Sequence, residues 1–267
     1  MSHTNESFHI AVLLKQTFDT EEKIAIHEGK IQDEDVKWVV NPYDEYAIEA
    51  AIQWKEQHGG HITVYTAGPD RAGEALRTAL AMGADEAVHI ELEDQELQTV
   101  DEWGIAQCLY HVLKDRQVDL LLAGNFSIDQ GSSQTAIRLS TLLQWPHAGA
   151  ITKLERVDET RAAIERDAEG DTEYVNVSLP ALFTCQQGLN EPRYPSLAGI
   201  MKAKKKPVTT VPASELLALL DNTQKTQRES LELPPPRMSG QMLQGSAEEQ
   251  VQQLIQALRS SSNVFEA

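Results

Sequence analysis

Residues 119–143, DLLLAGNFSIDQGSSQTAIRLSTLL, decide the fold. Residues 119–123 form a short apolar run that predicts a buried strand, and a helical pattern follows that ends near Leu143, before Pro146. The loop between them, residues 124–132, is rich in small and hydroxyl side chains. Strand, loop and helix in this order are the repeating unit of parallel α/β sheets.

The same unit recurs earlier in the chain. Apolar runs predict strands at residues 10–14, 61–66 and 86–90, and helical spacing predicts helices at residues 42–58, 70–82 and 103–113. Asn41 is a favoured N-cap, and Pro42 suits the first helical position. The order predicts an α/β fold with a mainly parallel, Rossmann-like sheet and helices on both faces. Such sheets bind ligands at the carboxyl ends of their strands.

The chain changes character after residue 150. Antiparallel additions to the sheet are predicted at residues 151–156, 162–166 and 173–178, and a further buried strand at residues 181–185. Residues 188–206 match neither a helix nor a strand pattern, although they combine apolar and basic side chains.

The last part of the sequence is predicted to be a separate arm. From about Thr209 the chain is polar and is expected to be extended, with three consecutive prolines at 234–236 as a stiff spacer. A capping box at residues 246–249 opens a final helix with one apolar stripe, formed by Val251, Leu254, Ile255 and Leu258. We therefore expect a nucleotide-binding α/β domain over residues 1–207 and a C-terminal arm over residues 208–267.

The charge of the chain excludes several function classes. Lys and Arg number 23 and Asp and Glu number 41, which gives a net charge of −18. Most of the surface therefore repels phosphate backbones and anionic lipids, so we expect no nucleic-acid partner. The local exception is a run of basic residues at 202–206, which is compatible either with a solvated helix end or with a docking surface for an acidic partner.

Cysteine content and targeting signals indicate the compartment. Cys108 and Cys185 lie far apart without a C-x-x-C pair, so the sequence predicts no disulfide framework and no zinc site. No stretch approaches the roughly 20 apolar residues that span a bilayer. Because the start is polar and lacks a signal-peptide pattern, we expect a cytoplasmic protein without membrane insertion.

The sequence contains no recognisable catalytic set. Ser-His-Asp, Cys-His and H-E-x-x-H patterns are missing from it, and its eight histidines are scattered, so we expect neither catalytic residues nor a metal. The loop after residue 123 is compatible with phosphate binding at a helix N-terminus. It is equally compatible with a simple cap by Ser132 or Ser133.

A family resemblance adds to this interpretation. Residues 189–206, LNEPRYPSLAGIMKAKKK, closely resemble the signature of the β subunit of electron transfer flavoproteins. NPYDE at 41–45, ALAMGAD at 79–85 and the loop at 124–135 are similar to that family in the same order. The resemblance covers nearly the whole chain and is closest to members from Gram-positive bacteria.

The resemblance implies an electron carrier rather than a stand-alone enzyme. It implies a heterodimer with an α subunit, which holds most of the contacts to one FAD per heterodimer, and a structural AMP in this chain. Electrons would pass from acyl-CoA and related dehydrogenases of fatty acid β-oxidation to a membrane quinone oxidoreductase.

The resemblance also implies site residues. The AMP contacts would be Leu13, Asn41, Pro42, Tyr43, Asp44, Ala67, Gly124, Asn125, Phe126, Ser127, Ile128, Asp129, Gln130, Gly131, Ser132, Ser133, Gln134 and Thr135. Tyr43 would also approach the flavin. Leu197 would anchor the dehydrogenase partner, with Lys202 and Lys205 beside it.

Two departures from the family pattern leave the nucleotide open. Gln130-Gly131 stand where many members have acidic residues, and Ala136 stands where they have glycine, so its methyl group is expected to narrow the pocket. The alternative to AMP is a second FAD, as in the electron-bifurcating members that oxidise NADH. A third interpretation, an adenine-nucleotide-binding sensor module, gives no role to residues 189–206 or to the final helix.

Overall fold

A computed structural model of the chain describes residues 8–27, 29–32, 36–220, 224–236 and 239–261. The chain divides into two compact units, residues 1–230 and residues 231–267.

The first unit contains every strand in the described part of the chain. They are β1 (His9–Leu13), β2 (Gln16–Phe18), β3 (Ala25–His27), β4 (Lys30–Gln32), β5 (Trp38–Val40), β6 (His61–Gly68), β7 (Glu86–Glu91), β8 (Leu120–Gly124), β9 (His147–Arg156), β10 (Arg161–Ala168), β11 (Asp171–Ser178), β12 (Ala181–Cys185) and β13 (Val208–Pro212). Its α-helices are α1 (Pro42–His58), α2 (Gly73–Met82), α3 (Asp94–Thr99), α4 (Glu102–Leu113), α5 (Thr135–Leu143), α6 (Leu197–Ala203) and α7 (Ala213–Leu217).

Nine of these strands form one sheet in the order β11-β10-β9-β12-β8-β1-β6-β7-β13. Every neighbouring pair from β9 to β13 is parallel, whereas β10 is antiparallel to both β9 and β11. Short antiparallel pairs, β2 with β5 and β3 with β4, fill the chain between β1 and α1. The predicted α/β fold with a mainly parallel sheet is confirmed.

The central strand β1 is buried on both faces of the sheet. Ile10 and Val12 belong to the core that α1 and α2 cover, and Ala11 and Leu13 belong to the core that α4 and α5 cover. Burial on both faces explains why the strand is apolar from Ile10 to Leu13 instead of alternating with polar residues. The two cores fix the carboxyl ends of β1 and β8 side by side.

Two sequence predictions about the later strands are corrected. β9 begins at His147 rather than at residue 151, and it pairs in parallel with β12 as well as antiparallel with β10. Its first residues include Gly149 and Ala150, which lack the β-branched side chains of a recognisable strand. The chain after Thr209 is also not simply extended, because β13 joins the sheet edge beside β7 and α7 follows it.

The second unit contains one helix in its described residues, α8 (Ala247–Ser261). The predicted capping box is present: the Ser246 backbone N–H donates to Glu249 Oε2 at 2.7 Å, and the Glu249 N–H donates to Ser246 Oγ at 3.4 Å. None of the described helices combines the length and the hydropathy that crossing a bilayer requires.

Candidate functional site

Asp44 joins three elements at the carboxyl edge of the sheet. One oxygen of its side chain, Oδ2, accepts a hydrogen bond of 2.6 Å from the backbone N–H of Lys15, which follows β1. The other, Oδ1, accepts from the Gly124 N–H at the end of β8 and from Asn41 Nδ2, both at 3.0 Å. Asp44 itself lies in the first turn of α1 and is buried. A single carboxyl group therefore holds β1, α1 and β8 together.

Burial also sets the protonation of this group. It raises the pKa of Asp44 to about 7, against the opposing effect of the hydrogen bonds from Asn41, Lys15 and Gly124. Removal from water disfavours the charged form, whereas donors aimed at the carboxylate favour it. Asp44 is therefore a buried carboxyl group whose charge changes near neutral pH.

Gly124 lies so close to α1 that no side chain fits there. A Cβ atom at this position would collide with Asp44 Oδ1 and would lie 2.8 Å from the carbonyl carbon of Tyr43 and 2.9 Å from the Asp44 nitrogen. Real Cβ atoms do not approach backbone so closely, so the contact requires glycine. The close approach brings the loop after β8 against the N-terminus of α1.

Asn41 secures that loop instead of capping the helix. It stands at the N-cap position of α1, with Pro42 at the first helical position as predicted, but its side chain makes no cap hydrogen bond. Its Nδ2 donates to Asp44 and to the Phe126 carbonyl oxygen at 2.9 Å, and its Oδ1 accepts from the Ile128 N–H at 3.2 Å. Asn41 therefore occupies the predicted N-cap position, but its side-chain amide is engaged across the loop and not in a cap hydrogen bond.

Lys15 closes the loop from the other side, and the sequence analysis missed it. Its Nζ lies 2.7 Å from Asp129 Oδ2, 2.9 Å from Gln130 Oε1 and 3.4 Å from Ser127 Oγ. The available signal was its position, since a lysine directly after a buried strand faces the ligand edge of a parallel sheet. Lys15 and Asn41 together fix residues 126–130.

The far end of the loop differs from the prediction. α5 begins at Thr135 with Gln134 at the N-cap position, not near Ser133, and Gln134 makes no side-chain cap hydrogen bond. Ser133 has φ 54°, a left-handed conformation that cannot begin a right-handed helix. Ala136 is buried in the core beneath α5, where its methyl group packs.

The remaining predicted nucleotide contacts lie around this loop. Leu13 ends β1, and Ala67 lies near the end of the adjacent strand β6. The ring of Tyr43 lies 4.0 Å from the ring of Phe126, centroid to centroid. Asn125 Oδ1 accepts a hydrogen bond from Thr184 Oγ1 at 3.0 Å. The predicted residues thus cluster at one edge of the sheet, with Gln130, Gly131 and Ser133 on its exposed side.

Two of the predicted partner residues, Leu197 and Lys202, lie on the helix α6, and Lys205 lies in the turn after it. Leu197 is the first residue of α6, and the cap is Ser196, whose Oγ accepts from the Gly199 N–H at 3.0 Å. α6 packs on α2 so closely that a Cβ atom at Gly199 would collide with the Ala81 carbonyl oxygen. Leu197 is 84% exposed, and Ile200 and Met201 are exposed at helical spacing from it.

The basic run beside this helix divides in two. Lys202, Lys204 and Lys205 are exposed, whereas Lys206 donates to the carbonyl oxygens of Leu80 and Ala84 at 2.8 and 2.5 Å. Burial lowers the pKa of the Lys206 ammonium group. Lys206 therefore secures the end of α2, and the exposed basic group consists of the other three lysines.

No metal site is found among the residues that the structure describes: they contain no group of three or more His, Cys, Asp or Glu side chains able to hold an ion. Cys108 and Cys185 are both buried and unbonded to each other, and burial raises the pKa of Cys108 to about 11. This protonated thiol has no nucleophilic character near neutral pH.

Comparisons with known proteins identify a family and several relatives. Residues 29–216 match the family model described as "Electron transfer flavoprotein domain". The chain is 53% identical over 258 residues to the electron transfer flavoprotein subunit beta of Bacillus subtilis (strain 168), which covers 96% of this chain and 100% of that protein. The subunits beta of Syntrophomonas wolfei and Mus musculus are 39% and 35% identical, over 96% and 86% of this chain and 97% and 90% of their own lengths.

Proposed function

Because the chain belongs to the electron transfer flavoprotein β-subunit family, we propose that it pairs with an α subunit in a heterodimer that carries electrons on one FAD. The electrons come from acyl-CoA and related dehydrogenases and pass to a membrane quinone oxidoreductase. The heterodimer works in the cytoplasm. This chain binds and orients its partners rather than catalysing a reaction alone.

The proposed role of the sheet edge is to hold AMP. Two features support it: the loop after β8, which Gly124 and Asp44 hold against α1 at the carboxyl edge of the sheet, and the N-terminus of α5, where Gln134 provides no side-chain cap. The first N–H groups of a helix lack acceptors within the helix and favour an anion. The phosphate of AMP would therefore be bound by the first N–H groups of α5 and by the Thr135 hydroxyl. The residues present fit a nucleotide.

The flavin, when bound, supplies the redox chemistry, and this chain contributes to its surroundings. Tyr43 is the residue proposed to approach it. The contact between the rings of Tyr43 and Phe126 and the hydrogen bonds of Asp44 and Asn41 hold that part of α1 in place. The second unit, residues 231–267, is proposed to bind the α subunit through the apolar stripe of α8.

The observation that carries the electron-carrier proposal is the exposed face of α6. Leu197 is exposed at the start of α6, and the exposed Lys202 and Lys205 follow five and eight residues later, in a chain whose net charge is −18. An apolar side chain beside positive charges matches a partner that offers an apolar pocket with an acidic rim. We assign this partner as the electron-donating dehydrogenase.

Co-expression with an α subunit tests the proposal. The expected product is a yellow complex whose flavin is reduced by an acyl-CoA dehydrogenase and its substrate, and reoxidised by a quinone oxidoreductase. A chain that binds colourless nucleotide and does not copurify with the α subunit would be a sensor module instead.

A further inference from the structure

Arg193 binds two carboxylates of α1 through its side chain and its backbone. Its Nε donates to Glu49 Oε2 at 2.8 Å and its NH2 to Glu49 Oε1 at 2.9 Å, a bidentate pair. Its backbone N–H also donates to Glu49 Oε2, at 3.2 Å. The sequence separation is 144 residues, so no local pattern indicates this contact.

A second carboxylate on the same face of α1 completes the contact. NH1 of Arg193 donates to Glu56 Oε1 at 2.7 Å, and NH2 to Glu56 Oε2 at 3.0 Å. Glu49 and Glu56 are seven residues apart, which places them two turns apart on one helix face. The Glu49 side chain is only 3% exposed, whereas that of Glu56 is 56% exposed.

The buried position of Glu49 makes this contact specific. An unpaired buried carboxylate is strongly unfavourable, so Glu49 requires donors, which Arg193 and Gln53 Nε2 (2.9 Å) provide. Asn190 makes a second contact with α1, one turn before Glu49: its Nδ2 donates to the Tyr46 carbonyl oxygen at 3.0 Å. Residues 190–193 are thus fixed on α1 immediately before α6.

The helix α1, to which residues 190–193 are bound, is itself held in place by the sheet. α1 is joined to β1 and β8 by the hydrogen bonds of Asp44, and it covers one core of the sheet. The other end of the segment is fixed as well, because α6 packs on α2 at Gly199 and Lys206 binds the end of α2. Leu197 stands between these two attachments.

We propose that Arg193 is a positioning residue for docking of the electron donor: it holds residues 190–196 on α1, so that Leu197 is presented in its binding orientation before the donor arrives. This rests on the proposed function in one respect, namely that Leu197 contacts the donor. A segment that is ordered in advance loses less conformational entropy on binding. A lysine cannot replace the arginine, because it cannot form the bidentate pair.

The test is steady-state reduction of the heterodimer by an acyl-CoA dehydrogenase, with the heterodimer as the varied substrate. For Arg193→Lys we expect KM to rise roughly 3- to 10-fold, with kcat nearly unchanged, because the docked complex still transfers electrons. Hydrogen exchange of backbone amides in residues 189–203 should be faster than in the wild type. The control is Arg161→Lys, which removes the two hydrogen bonds from the Arg161 guanidinium to Asp158 Oδ2 (2.8 and 2.6 Å) elsewhere on the surface and should leave KM unchanged.

Two further variants keep the result interpretable. Glu56→Gln removes only the exposed partner of Arg193 and should raise KM by a smaller factor, which also serves if Arg193→Lys fails to assemble. Leu197→Ala tests the docking site itself. If Leu197→Ala raises KM while Arg193→Lys and Glu56→Gln leave KM and hydrogen exchange as in the wild type, the positioning role is refuted and the docking role stands. If Leu197→Ala also has no effect, the proposed docking function is refuted.

Discussion

The backbone N–H of Gly124 donates a 3.0 Å hydrogen bond to Asp44 Oδ1, at a point where a side chain on residue 124 would collide with that same oxygen. The two residues are 80 positions apart in sequence, yet they join the end of β8 to the start of α1. This contact sets the position of the loop to which we assign AMP binding. Three of the following predictions address it.

Gly124→Ala should separate the loop from α1. The added methyl group has no free volume against the backbone of Tyr43 and Asp44, and such overpacking costs roughly 1–3 kcal/mol of unfolding free energy. AMP content of the purified heterodimer should fall with it. Gly73→Ala is the control, because its nearest neighbour, His89 Nδ1, is 4.0 Å from the new Cβ position. Full AMP content and a wild-type urea midpoint in Gly124→Ala would show that the close approach of residue 124 to α1 is not required.

Asp44 should make stability depend on pH. Its pKa is about 7 in the folded chain and about 4 in the unfolded chain, so between these values the folded state keeps a proton that the unfolded state has released. The unfolding free energy should therefore fall as pH rises from 4 to 7, by at most about 1.4 kcal/mol per pH unit, and level off above 7.

The comparison that isolates this effect is with Asp44→Asn, which cannot titrate. Urea unfolding at several pH values should give two curves that converge or cross as pH rises, with the wild type losing stability relative to the variant. Asp115→Asn, at an exposed position, is the control and should follow the wild type. Parallel curves for wild type and Asp44→Asn would show that Asp44 does not titrate in this range.

Lys15→Met should weaken AMP retention more than it weakens the fold. The ion pair with Asp129 is partly exposed and contributes at most about 1 kcal/mol, so the melting temperature should change little. In this variant residues 127–130 lose their contacts with the chain that follows β1, so the affinity for AMP should fall roughly 3- to 10-fold. Calorimetry on the heterodimer measures this affinity. Lys37→Met breaks an exposed pair with Asp19 and should leave AMP affinity unchanged. If Lys15→Met binds AMP as tightly as Lys37→Met does, Lys15 has no role in holding AMP.

The stripe of α8 should be required for binding the α subunit. Deletion of the residues after Gly240 is expected to weaken heterodimer formation and to leave the sheet folded, as judged by circular dichroism. Leu254→Asp should have the same effect because it places a charge on the apolar face, whereas Gln256→Asp places it about 200° around the helix and should not. Full affinity in the truncated chain would refute the assignment of the arm.

The α/β order was predictable because burial on both faces leaves a strong signal. β1 and β8 are uninterrupted apolar runs, and the helices after them have clear apolar faces. β9 was misjudged at its start because Gly149 and Ala150 give no strand pattern. β13 was missed because it is an edge strand with only β7 beside it, so its residues remain largely exposed and polar in pattern.

The candidate site was predictable only in outline. The family resemblance indicated the loop and Leu197, whereas the contacts that fix them are long-range. Lys15 reaches Asp129 across 114 residues and Arg193 reaches Glu49 across 144 residues. Local spacing carries no information on such pairs. For the same reason the sequence placed Asn41 at the N-cap of α1 but did not indicate that its side chain bonds to a loop 85 and 87 residues away.

The nucleotide content of the purified heterodimer distinguishes most directly between AMP and a second FAD at the carboxyl edge of the sheet. Denaturation followed by chromatography, with the protein quantified independently, gives the amounts of FAD and AMP released. We predict one FAD and one AMP per heterodimer, with a lower AMP content in Gly124→Ala while the FAD remains. Two FAD and no AMP would contradict it and would identify the chain as part of an electron-bifurcating flavoprotein.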